Sequence, residues 1–173
     1  MLENDIALGG NDIYKYLDGK IKVLEYKEIR KYKDIDSLLK PFDKVAILYP
    51  WKVEPDGGLF GHWVGLMKNK NGNVEYFNSY GSFLENGVMK NIDVNFKKRH
   101  GEDFKYLTYL LYISDYKVEY NPKTLQSSDS NTCGRWVLYR LLRDDLTIEQ
   151  FNKLFTKNKI KNDIKILNLV YNI

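Results

Sequence analysis

The sequence holds one cysteine and two histidines, so few residues can carry thiol–imidazole chemistry. Cys133 follows the polar run Gln126-Ser-Ser-Asp-Ser-Asn-Thr132 and opens an apolar stretch with Trp136, Val137, Tyr139, Leu141 and Leu142. That pattern predicts a largely buried helix beginning at the thiol. A thiol in the first turn of a helix lies among unpartnered N–H groups, at the positive end of the helix dipole. Both favour thiolate, the nucleophilic form. The alternative is a small buried hydrophobe. Gly134 beside it weakens a helix start but allows close approach to the backbone.

A thiol nucleophile needs a base within hydrogen-bond reach. His100 sits in the charged run Lys97-Lys98-Arg99 and reads as solvated surface, which leaves His62, in Gly61-His62-Trp63. Asn78, in Phe77-Asn78-Ser79-Tyr80-Gly81, can accept from one imidazole nitrogen and turn the other towards the thiol, or can form an Asx-turn before Gly81. Gln126, seven residues before Cys133, can offer a carboxamide N–H to an oxyanion, joined by the Cys133 backbone N–H.

These groups need a scaffold. Val45–Tyr49 reads as a buried strand, and Trp51–Gly61, with Pro55, Asp56, Gly57 and Gly58, as a loop. His62–Met67 and Val74–Asn78 read as a hairpin turning at Asn69–Asn73, which places His62 and Asn78 at adjacent ends. Asn11 or Asp12 is expected to cap a short helix with Ile13, Tyr16 and Leu17 on one face. Ile21–Ile29 is open between strand and helix, and Asp36–Leu39 is a helical turn ended by Pro41. Helical patterns cover Val88–Lys98, Phe104–Ile113 and Ile160–Val170, and Tyr116–Tyr120 alternates as a half-buried strand. Thr147 with Gln150 is a capping box for a helix through Phe155. The expected fold is α+β: a central mixed or antiparallel sheet with His62 and Asn78 on a hairpin, packed against helices, in one domain over 1–173.

The order Gly-His-Trp, Phe-Asn-Ser-Tyr-Gly, then Leu-Gln-(six residues)-Cys-Gly before an apolar helix resembles the adenovirus-type (adenain-like) cysteine proteases. Their papain-related fold is shared by a clan that includes the SUMO proteases. The resemblance spans Ala46 to Leu142. It implies Cys133 as nucleophile, His62 as base and acid, Asn78 as orienter, Gln126 as oxyanion donor and Trp63 beside the substrate channel. Asn78 stands where many members have Asp or Glu. The resemblance further implies a polypeptide substrate, such as a viral capsid or core precursor cut after Gly-Gly, or a ubiquitin-like tail. Acyl transfer is a variant within the clan. Ala7-Leu8-Gly9-Gly10 matches that specificity and reads either as a self-processing site or as a flexible lead into a helix cap. Activation by DNA or a peptide is compatible with the resemblance, but with one cysteine no activator can be held through a second cysteine of this chain.

Composition narrows the rest. At 173 residues, 43% hydrophobic and 29% charged, the chain has the size and apolar content of a globular domain. A lone cysteine excludes an internal disulfide and a Cys-cluster zinc site, and no cofactor or metal is expected. No run approaches the roughly 18 apolar residues of a membrane span. The first twenty residues include Glu3, Asp5 and Asp12 and no apolar core of a secretory leader, so secretion is not expected; the resemblance implies the virion and the infected-cell interior. The net charge of +4 admits weak association with nucleic acid. The non-enzyme alternative is a basic nucleic-acid or capsid-binding module using Lys15–Lys33 and Lys153–Lys165.

Overall fold

A computed structural model of the chain describes residues 6–82 and 85–171. Glu3 and Asp5, used in reading the leader, lie outside them. The elements run α1 (Gly10–Tyr16), β1 (Lys22–Glu25), a 3-10 turn (Tyr26–Lys31), α2 (Ile35–Leu39), β2 (Lys44–Val53), β3 (Leu59–Lys68) and β4 (Val74–Phe77). They continue with α3 (Asn86–Met89), α4 (Val94–Arg99), α5 (Tyr106–Tyr112), β5 (Val118–Tyr120), α6 (Cys133–Leu142), α7 (Ile148–Asn152) and α8 (Lys159–Tyr171).

The five strands form one mixed sheet in the order β1-β2-β3-β4-β5. The outer pairs are parallel, while β2/β3 and β3/β4 are antiparallel. Period-two alternation sends Val45, Ile47, Val64, Leu66 and Tyr76 into a core shared with α2, α4 and α5. Their neighbours Ala46, Leu48, Trp63, Met67 and Phe77 enter a second core with α1, α6, α7 and α8. Both sheet faces are therefore covered by helices.

The helix at Cys133 begins where the sequence places it, and Thr147 caps α7 as expected: its hydroxyl accepts the Gln150 N–H at 3.1 Å, and the Gln150 carboxamide oxygen accepts the Thr147 N–H at 2.9 Å. Four expectations change. β2 does not stop at Tyr49; it continues to Val53 and pairs with Leu59 and Phe60 across a bulge at Pro50/Lys52, leaving only 54–58 as a turn. The cap of α1 is Gly9, with Asp12 in the first turn accepting the Gly9 N–H at 2.9 Å. Val88–Lys98 is two helices, because Asp93 caps a new one by accepting from the Asn95 and Phe96 N–H groups. α7 ends at Asn152, short of Phe155. Ile21–Ile29 resolves into β1 followed by the 3-10 turn. Among the described residues, no helix is long and apolar enough to cross a membrane.

Candidate active site

His62 pairs with Tyr49 in the β2/β3 ladder and is 1% exposed. Its ring lies between two aromatic faces: Tyr80 at 4.8 Å between centroids and, nearly parallel, Trp51 at 6.3 Å. His62 Nε2 is 2.8 Å from Asn78 Oδ1. The same Oδ1 accepts the Tyr80 backbone N–H at 3.0 Å, while Asn78 Nδ2 donates to the Ser82 hydroxyl at 2.8 Å. A backbone N–H can only donate, so the acceptor end of Asn78 is fixed. His62 Nε2 therefore carries the proton and Nδ1 presents the lone pair. Nδ1 is buried and has no hydrogen-bond partner. One Asn78 oxygen thus meets both the Tyr80 N–H of the turn and the imidazole. The turn needs Gly81 (φ +63°), where a Cβ would lie 2.3 Å from the Lys123 carbonyl carbon.

Burial pulls the His62 pKa down from 6.5 to about 4, and the Asn78 hydrogen bond opposes that only in part. At neutral pH the buried imidazole is therefore uncharged.

Cys133 is the first residue of α6 and lines a cavity of about 430 Å³ together with His62, Trp63, Leu8, Ser130 and Asn131. Two anchors hold this helix. Asp163 of α8, fully buried, accepts from the Thr132 hydroxyl at 2.8 Å, the Trp136 indole at 2.9 Å and the Ser127 N–H at 2.9 Å. Further along α6, Arg140 makes a two-pronged ion pair with Glu75 of β4 at 2.7 and 2.8 Å, with both side chains fully buried. The helix of Cys133 is thus tied to the strand that ends one residue before Asn78.

Trp63 lines the cavity and donates its indole N–H to the Leu8 carbonyl at 3.1 Å. A Cβ on Gly134 would come within 3.1 Å of Leu8 Cβ and 3.3 Å of Trp63. The close approach that this glycine permits is thus used by the protein's own residues 8 and 63. Gly10 is already helical, so the bond after it lies in the first turn of α1. That geometry favours the helix-lead reading of Leu8-Gly9-Gly10, since cleavage in place requires the turn to unwind.

Gln126 is buried behind the loop before Cys133. Its Nε2 donates to the Ser130 carbonyl (3.0 Å) and hydroxyl (3.2 Å), and its Oε1 accepts from the Ser79 hydroxyl at 2.6 Å. His62, Trp63 and Cys133 thus line one cavity, Asn78 holds His62 from outside it, and Gln126 lies behind the Ser130 loop. A second cavity, about 710 Å³, lies across His62 from the first and shares Trp51, His62, Tyr80 and Ser128 with it. Sequence reasoning overlooked Trp51, Tyr80 and Ser79. The signal for Trp51 was available: an aromatic residue continuing the β2 alternation past Pro50. Among the described residues, no group of three or more His, Cys, Asp or Glu side chains is placed to hold a metal ion.

No protein-family model matches the chain. It is 34% identical over 150 residues to "Uncharacterized protein V9" of Sputnik virophage, covering 86% of this chain and 82% of that protein. Among solved structures it is similar to the ASFV pS273R protease (TM-score 0.51, 17% identity, 94% of this chain). It spans 66% of that protease, just under two thirds of its length. It is also similar to ChlaDub1 from Chlamydia trachomatis (TM-score 0.52, 12% identity, 96% of this chain and 91% of that one). At these identities the two structural likenesses are likenesses of fold.

Proposed function

The chain belongs to the family of Sputnik virophage protein V9, and we propose that it is a cysteine endopeptidase of the adenovirus-type clan that cleaves viral capsid or core precursors after small residues such as Gly-Gly. The observation that carries this reading is the bare, buried Nδ1 of His62, held as a lone pair by Asn78 beside the cavity that Cys133 lines at a helix start. An unpartnered buried nitrogen costs stability and calls for a functional explanation. The fold shared with the ASFV pS273R protease adds support.

In this mechanism Cys133 Sγ attacks the peptide carbonyl while His62 Nδ1 takes the thiol proton. The tetrahedral oxyanion is received by the Cys133 N–H and the Gln126 carboxamide. Its collapse breaks the C–N bond, and the imidazolium returns the proton to the leaving amine. Water, deprotonated by the same nitrogen, then adds to the thioester; the acid leaves and the thiol is restored. The two cavities meeting at His62 suit an extended chain running past the base on both sides. The tight fit of Leu8 and Trp63 over Gly134 supports a small residue at the bond cut.

The test is a peptide-library digest with the wild type, Cys133→Ala and His62→Ala. The expected outcome is cleavage after small residues by the wild type alone. Equal cleavage by Cys133→Ala would overturn the proposal.

A further inference from the structure

We infer that Ser79 is a positioning residue for this reaction: it turns the N–H edge of the Gln126 carboxamide towards the loop that carries Cys133. The inference rests on the cysteine protease reading and adds a residue to it.

The argument begins with donors and acceptors. The Ser130 carbonyl can only accept, so the nitrogen end of Gln126 faces Ser130, three positions before the nucleophile, at 3.0 Å. The oxygen end then faces Ser79, whose hydroxyl must be the donor in the 2.6 Å contact. A carboxamide in a loop has two nearly isosteric orientations, and only one offers N–H groups on the Cys133 side. Among the described residues, the Ser79 hydroxyl is the donor that holds the oxygen end. One N–H can be shared between the two Ser130 oxygens as a three-centre bond, which leaves the other for an oxyanion.

The backbone of Ser79 does related work. Its carbonyl accepts the N–H of Leu125 at 2.9 Å and of Gln126 at 3.2 Å, so the segment before the polar loop is fastened where β4 ends. One residue earlier, the Asn78 carboxamide holds His62, and its carbonyl accepts from Asn121 Nδ2 at 2.9 Å. Two consecutive residues thus fix the two arms of the site, Asn78 the base and Ser79 the oxyanion donor. Ser79 is fully buried, so solvent does not compete for its hydroxyl.

Two reactions of the same sulfur separate this function from mere structural support. Alkylation of Cys133 by iodoacetamide is a direct displacement with no oxyanion. Acetylation by p-nitrophenyl acetate passes through one: the thiol is acetylated and p-nitrophenolate leaves. Ser79→Ala is expected to leave alkylation within twofold of wild type and to slow acetylation about tenfold, less than the ~10²–10³ expected when the donor itself is removed in Gln126→Ala. The double variant should be no slower than Gln126→Ala, because Ser79 acts only through Gln126. Ser79→Thr and Ser79→Val, matched in shape, should differ by fivefold or more in acetylation, with Thr the faster; this pair decides the matter if Ser79→Ala does not fold. Unchanged acetylation in Ser79→Ala, equal rates for Thr and Val, or additive losses in the double variant would each overturn the inference while leaving the protease reading intact. A wild type acetylated no faster than Cys133→Ala would instead overturn the protease reading, and this inference with it.

Discussion

Removing the Trp51 ring should let His62 ionise more readily, by an amount the structure bounds. Burial lowers the imidazole from 6.5 to about 4. That gap of about 2.5 pH units corresponds to roughly 3 kcal/mol at ~1.4 kcal/mol per tenfold. Two rings stack on it: Tyr80 at 4.8 Å, and Trp51 at 6.3 Å, itself 39% exposed. The more distant and wetter ring accounts for the smaller share, so Trp51→Ala should raise the His62 midpoint by about one pH unit, with about 2.5 as the ceiling. Carbon-13 NMR of the imidazole Cε1 suits the measurement, since the chain has two histidines and a His100→Gln variant assigns the signals. The sign for stability follows from proton counts. Between pH 6.5 and 4 the unfolded chain binds a proton at His62 that the folded chain does not, so this contribution is present above pH 6.5 and is lost as pH falls towards 4. A wild-type midpoint at or above 6.5, or a Trp51→Ala midpoint still near 4, would refute the reasoning. The first result would mean that an ionised Cys133 sits beside a charged imidazole.

Other expectations follow from buried charge and from the first turn of α1. Glu102 is 1% exposed, neither carboxylate oxygen has a hydrogen-bond partner, and burial raises its pKa from 4.5 to about 8. Folding therefore retains a proton that the unfolded chain releases, and stability falls as pH rises from 4.5 to 8. Glu102→Gln should raise the melting temperature at pH 8 by several degrees and change it little at pH 4.5; equal shifts at both would contradict this. Glu75→Ala strands a buried guanidinium under α6 and should cost about 3–5 kcal/mol in urea unfolding; a loss under 1 kcal/mol would show that Arg140 finds another partner. Intact mass spectrometry should show the same N-terminus in wild type and Cys133→Ala, and a wild type beginning at Asn11 would show that the first turn of α1 opens for self-cleavage.

How much of this was legible in the sequence depended on range. The start of α6 was, because a polar loop meets an apolar run at Cys133 and local chemistry alone decides it. The β3/β4 hairpin was too, because Asn69–Asn73 is turn-forming and the flanking residues alternate. That hairpin brings His62 and Asn78 together as adjacent ends, 2.8 Å apart. The sequence hid what depends on distant partners. Pro50 and the Pro55-Asp56-Gly57-Gly58 turn masked the outer half of β2, whose pairing with Leu59 and Phe60 is made possible by a bulge. The contacts of Trp63 with Leu8, Arg140 with Glu75 and Ser79 with Gln126 join residues 47 to 65 positions apart. No local period encodes them. Gln126 was found by its spacing from Cys133, yet its resting contacts with Ser130 and Ser79 belong to the tertiary structure. The sequence suggested a helix start that favours thiolate; the rings stacked on His62, Trp51 and Tyr80, are brought to it only by the fold.

The central claim is that Cys133 is a nucleophile whose proton is taken by His62. It is tested most directly by the rate of Cys133 alkylation against pH, in wild type and His62→Ala. An unassisted thiol titrates at about 8.5. The account predicts wild-type alkylation at pH 6 at least tenfold faster than in His62→Ala, with the excess fading only as pH approaches 4, where His62 takes up its own proton. Superimposable profiles with a single midpoint near the thiol's ordinary value would contradict it and leave Cys133 a structural residue.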